Sequence, residues 1–196
     1  MPEFEFTLGE PTSRDAILSE LLRLHEASSV FWESFSTDEF FAPVGGGWSP
    51  AGNVRHLNKS IGPLARAFRL PRPAIWVLFG KARKPSRTYA GLRQDYLAML
   101  EQGAGAGSFA PEPASELGND ARPRVDLMAK REDFSRQLWL AIDSWRDQDL
   151  DRYLLPHPLL GKLTLREMLF FTLYHNYHHV RNVAARLQNP ASAPAK

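Results

Sequence analysis

The stretch that most constrains the fold is TLREMLFFTLYHNYHHVRNVAARL, from Thr164 to Leu187. Thr164 followed three residues later by Glu167 is a capping box, so the helix start is written into the sequence. No Pro or Gly interrupts the run, and Pro190 lies just beyond its end. His175, His178 and His179 sit on this helix. Residues four apart stack on one face, one turn apart, so His175 and His179 can aim ring nitrogens at a common point. Met168, Phe171 and Thr172 precede the histidines on the same stripe and Asn182 follows them, which makes the inward face apolar at one end and polar at the other. A buried imidazole needs a partner, and a metal ion is one such partner.

The length of 196 residues predicts a single domain with a sizeable core. Hydrophobic residues make up 43% and charged residues 23%, the balance of a soluble globular chain rather than a disordered one. Basic residues exceed acidic ones by only 24 to 22, a net charge of +2, and only Lys81 to Arg87 approaches a basic cluster. Nucleic acid is therefore not the expected partner. The absence of cysteine excludes disulfides, thiolate metal ligands and a cysteine nucleophile. The first residues, Met1 to Thr7, lack the basic start and apolar run of a secretory signal. No apolar segment approaches membrane-spanning length, so neither a membrane nor a compartment other than the cytoplasm is expected.

Along the chain, Phe4 to Leu8 alternates apolar and polar residues and reads as a short extended arm. A first helix is predicted from about Ser13 to Phe35 by Ile17, Leu21, Leu24, Val30, Phe31 and Phe35. Trp48-Ser49-Pro50 opens a second, with serine as cap and proline at its first position. Its apolar side carries Val54, Leu57, Ile61, Leu64 and Phe68, and Gly62-Pro63 predicts a kink or break within it. His56 falls on an adjoining stripe with Gly52, Asn53, Ser60 and Ala67, at the edge of the core. Ile75 to Phe79 is an apolar run read as a loop or short helix over the bundle, with a dimer contact or a lid as the sharper alternatives. Tyr89 to Leu100 has a helical pattern but is short, and the glycine-rich stretch after it predicts a flexible insertion at about 101–121. A third long helix is expected from about Arg122 to Asp147 and the histidine helix is the fourth. Four long helices without a strand series predict an all-α four-helix bundle, with a loop-rich insertion between the second and third.

His175 and His179 from the fourth helix and His56 from the second make a candidate metal triad. Imidazole suits zinc, nickel, iron and copper, and three neutral ligands leave the ion's charge uncompensated and a position open, a catalytic layout. His178 is a rival ligand or a supporting donor, and His25 and His157 read as structural. Asn182 and Arg186 continue the inward polar stripe, where they would orient a ligand or substrate, or else reach out to water.

Trp48-Ser49-Pro50 with His56-Leu57, then His157-Pro-Leu-Leu-Gly161, then Tyr174-His175-Asn-Tyr-His178-His179, resembles the DinB-like superfamily of bacterial proteins. The resemblance spans roughly 13–187 and implies one domain, 1–196, folded as an up-down-down-up four-helix bundle. It also implies a divalent metal, commonly zinc or nickel, held at the positions of His56, His175 and His179. In characterised branches, related to bacillithiol transferases and mycothiol-dependent enzymes, it implies transfer of a low-molecular-weight thiol to an electrophilic small-molecule substrate. The chain departs from the family pattern at Asn182, where a glutamine is usual. Related bundles often pair, which makes a homodimer the expectation. Two other readings stand beside thiol transfer: a metal-dependent hydrolase, and a non-catalytic dimeric interaction protein with a structural or vestigial metal site.

Overall fold

The structure is a computed structural model that describes residues 2–111 and 122–188. Four long helices build the bundle: α1 (Arg14–Glu33), α3 (Pro50–Phe68), α6 (Arg122–Asp143) and α7 (Leu165–Gln188). α3 packs chiefly on α6, and α1 chiefly on α7. Each start that the sequence marks is capped. Ser13 Oγ accepts from Ala16 N–H, and Ser49 Oγ accepts from Gly52 N–H at 3.0 Å with Pro50 at the first helical position. At α7 the capping box closes both ways: Glu167 N–H donates to Thr164 Oγ1 and Thr164 N–H to Glu167 Oε2.

α3 runs unbroken through Gly62-Pro63, so the expected break does not occur. Proline removes one backbone donor, and burial of Ile61, Leu64, Ala65 and Phe68 around it outweighs that loss. Gly62 serves a close approach instead. A Cβ there would stand 3.1 Å from the Phe134 ring of α6.

The region between α3 and α6 is more helical than its composition suggests. It holds α4 (Arg72–Phe79) and α5 (Tyr89–Glu101), and α5 lies against α7. Only Ile75 of the α4 run is fully buried, while Trp76, Val77 and Leu78 are exposed. Of the expected flexible insertion, residues 112–121 lie outside the described residues, and Gly107–Phe109 forms a 3₁₀ turn. A short α2 (Thr37–Phe41) follows α1.

A second difference is an antiparallel hairpin, β1 (Leu154–His157) with β2 (Gly161–Thr164), where no strand was expected. Two forces close it. Gly161 takes the left-handed region at φ +73°, and His157 Nδ1 accepts from the backbone N–H groups of Leu159 and Leu160. The N-terminal arm is extended, with Phe4 and Phe6 resting on Phe31 and Tyr177.

The buried apolar residues form two clusters. One gathers Ile61, Leu64, Leu165, Leu169 and Leu173 with Trp145 and Leu24. The other gathers Ala51, Val54, Val180 and Val183 with Trp32 and Phe40. α3 and α7 contribute to both, and the histidines fall between the two sets of positions on each helix.

Candidate metal centre

Three ring nitrogens meet in that gap. His56 Nε2 lies 2.9 Å from His175 Nε2, and His179 Nε2 lies 3.2 Å from the same atom. One ligand atom from each of His56, His175 and His179 falls within 4.8 Å of the others. His56 and His175 are buried, and His179 is partly exposed. The Trp48 ring stacks on His179, with centroids 5.9 Å apart and planes 9° from parallel. Trp48 also leans on His56 at 5.1 Å.

The tautomers follow from the partners of the other ring nitrogens. His56 Nδ1 is 2.9 Å from the carbonyl oxygen of Phe109, which can only accept, so Nδ1 carries the hydrogen. His179 Nδ1 is 2.8 Å from Asn53 Oδ1. The Asn53 amide is oriented by its own donation to Ser49 O at 2.9 Å, so its oxygen faces His179 and again Nδ1 donates. Both residues therefore turn Nε2 lone pairs toward His175 Nε2. His175 Nδ1 is buried with no hydrogen-bond partner among the described residues.

No neutral arrangement of His175 satisfies this set. A hydrogen on its Nε2 serves one of two facing lone pairs and leaves its Nδ1 lone pair buried. A hydrogen on Nδ1 leaves three lone pairs converging on one point. A cation at that point accepts all three. Two nitrogens each about 2.1 Å from one ion, at angles between about 90° and 109°, stand about 3.0 to 3.4 Å apart. The 2.9 and 3.2 Å separations sit close to that range, and the donor set of three converging imidazoles suits a divalent ion.

Electrostatics keep the donors neutral, as ligation requires. Burial, then the neighbouring imidazoles of His179 and His56, holds His175 well below the usual histidine range. Burial likewise lowers His179, with His56, His178 and Arg186 adding to it. His56 is lowered by burial and by Lys59, against the opposing pull of the Phe109 carbonyl.

The family model for the DinB superfamily matches residues 20–183. The chain belongs to the DinB superfamily. In fold, this DinB protein is similar to the crystal structure of TT2238, a four-helix bundle protein, with a TM-score of 0.55 at 17% identity, covering 88% of this chain and 99% of that one. No curated protein matches the chain.

The remaining sequence candidates separate. His178 stands outside the triad: its Nε2 accepts from Asn182 Nδ2 at 2.9 Å, so Asn182 supports His178 rather than His179. Arg186 lies along the Gly45–Gly47 loop, close enough that a Cβ on Gly47 would fall 1.3 Å from its Nη1. His157 closes the hairpin turn, and His25 Nε2 meets Glu132 Oε2 at 2.7 Å and packs on Trp139. A groove of about 710 Å³ between α3 and α6 includes none of the three histidines among its lining residues. Sequence reasoning missed Asn53 and the Phe109 carbonyl as supports. Asn53, three residues before His56 on the small and polar stripe, carried a signal, whereas a backbone carbonyl more than fifty residues from His56 carried none.

Proposed function

We propose that this protein is a metal-dependent enzyme, with a divalent ion at His56, His175 and His179, that transfers a low-molecular-weight thiol to an electrophilic small molecule. The observation that carries the reading is the convergence of three Nε2 atoms, two with tautomers set by Phe109 O and Asn53 Oδ1. A bound zinc or nickel ion would supply Lewis acidity, favouring thiolate over thiol at neutral pH. The chain has no cysteine, so the sulfur comes from the cosubstrate. The residues themselves bind and orient. His56 and His179 keep their lone pairs on one point through Phe109 and Asn53, and the Trp48 ring stacks on His179. Burial of His56 and His175 keeps bulk water from competing at the inner side.

Metal analysis of protein purified without a metal-binding tag tests this. About one divalent ion per chain is expected, lost in both His56→Ala and His175→Ala. An ion-free wild type after incubation with zinc and nickel refutes it. A second reading, a dimeric interaction protein, is favoured by α4, whose outward residues Trp76, Val77 and Leu78 are 52%, 81% and 62% exposed. It predicts a homodimer in sedimentation that Val77→Ser with Leu78→Ser converts to monomer.

A further inference from the structure

We propose that Arg186 anchors an anionic end of the ligand that enters the metal centre, so the thiol this site takes is one that carries a carboxylate. This rests on the reading of His56, His175 and His179 as metal ligands. The first support is how the guanidinium is housed. The Arg186 side chain runs along the Gly45–Gly47 loop: a Cβ on Gly45 would stand 3.0 Å from Arg186 Cβ, and one on Gly47 would stand 1.3 Å from Nη1. Any side chain at position 47 would take the guanidinium's place. The next residue, Trp48, stacks on His179, which carries the loop from the guanidinium to the candidate ligand.

The second support is what Arg186 lacks. Among the described residues it has no ion-pair partner and donates no hydrogen bond. Half-buried beside glycine backbone, it is a cation with a vacant bidentate fork, the geometry that suits a carboxylate.

The third support is the charge balance of the site. Three neutral donors leave a divalent ion uncompensated, and no carboxylate belongs to the cluster. A ligand with a thiolate for the ion and a carboxylate for Arg186 neutralises both charges at once. An uncharged thiol neutralises only one. His179 and Arg186 are seven residues apart on one helix face, about 10 Å along the axis, so the two ends of such a ligand are separated by several bonds.

The experiment uses cobalt-loaded full-length protein, with cobalt content measured first. ω-Mercaptocarboxylates of increasing chain length are titrated against the matching ω-mercaptoalcohols, reading the thiolate-to-cobalt charge-transfer band. The wild type is expected to bind the best acid about 10- to 100-fold more tightly than its alcohol. Arg186→Gln should abolish the preference at unchanged cobalt content, and Arg186→Lys should keep part of it. Gly47→Ala keeps the charge but forces the guanidinium aside, and should reduce the preference. Should Arg186→Gln fail to fold, Arg186→Met decides in its place. Cobalt bound without discrimination in the wild type overturns the anchor while leaving the metal reading intact. A preference that survives in Arg186→Gln or Arg186→Met also overturns it. A wild type that takes up no cobalt overturns the metal reading and the anchor together.

Discussion

Replacing Asn53 separates two jobs that one side chain performs. Its Nδ2 donates to Ser49 O and Trp48 O, fastening the first turn of α3, while its Oδ1 accepts from His179 Nδ1. Asn53→Leu removes both. Loss of the donor side costs about 1 kcal/mol, a fall of roughly 2 to 4 °C in the metal-free melting temperature for a chain of this size. Loss of the acceptor side frees the His179 tautomer and ring and should weaken metal binding about 10- to 100-fold. Asn53→Asp keeps an acceptor and loses the donor. It should bind metal at least as tightly as the wild type, because a carboxylate strengthens the donation from Nδ1–H, while its metal-free melting temperature also falls, since the second carboxylate oxygen then faces the Ser49 and Trp48 carbonyls. Competition with a chromophoric chelator reads the affinity, and thermal unfolding of the metal-free proteins reads the stability. Equal metal affinity in Asn53→Leu and Asn53→Asp would refute the assignment of Oδ1 as the group that positions His179.

Three further outcomes follow from the packing. Burial, with Arg87 nearby, pushes the His157 imidazole down to about 4, while the unfolded residue takes up its proton near 6.5. Stability from this group is thus complete above about pH 6.5 and falls by up to about 3 kcal/mol as pH drops toward 4. His157→Asn, which keeps an acceptor for Leu159 and Leu160, should flatten the wild-type loss in urea midpoint between pH 7 and pH 5, and an unchanged slope would contradict it. At Gly62, where a Cβ would meet the Phe134 ring at 3.1 Å, Gly62→Leu should cost about 1 to 3 kcal/mol in thermal unfolding. Glu167 accepts from Thr164 N–H, Arg87 N–H and Arg87 Nε, which together hold its carboxyl below the ordinary range despite burial. Glu167→Ala should cost about 2 kcal/mol at neutral pH, and the difference from wild type should shrink as pH falls through the carboxylate range.

Two helix starts were legible because adjacent residues signal them, Ser49-Pro50 for α3 and Thr164 with Glu167 for α7, whereas α1 was placed by its apolar spacing. The triad was legible in part. The four-residue spacing of His175 and His179 is a property of one helix, but adding His56 depended on α3 packing beside α7, which nothing local dictates and which the family pattern supported. The hairpin was illegible. Its four-residue strands contain Pro156 and show no clean alternation, and a histidine side chain makes the turn. α4 was ambiguous because a run apolar on every side gives no periodicity. The continuity of α3 through Pro63 shows tertiary burial overriding a local breaker.

The same packing decides whether the ion builds the fold or only occupies it. Zinc-dependent folds collapse without metal because their apolar contacts are too few. Here α3 and α7 share an apolar cluster on each side of the triad, with Ile61, Leu64, Leu169 and Leu173 in one and Ala51, Val54, Val180 and Val183 in the other. Those contacts do not pass through the histidines. Chelation should therefore leave the helical circular dichroism unchanged and remove only the binding contribution, about 2.7 kcal/mol at a free ion concentration one hundred times Kd. That corresponds to a fall of roughly 5 to 10 °C in melting temperature. The metal-free protein is left with facing lone pairs and the unpartnered His175 Nδ1, so the triad is a local weakness that the ion relieves. His175→Ala should accordingly lose the response to metal without losing the fold. Unfolding on chelation, or an unfolded His175→Ala, would mean that the two apolar clusters do not hold α3 against α7 by themselves, and that the site is structural.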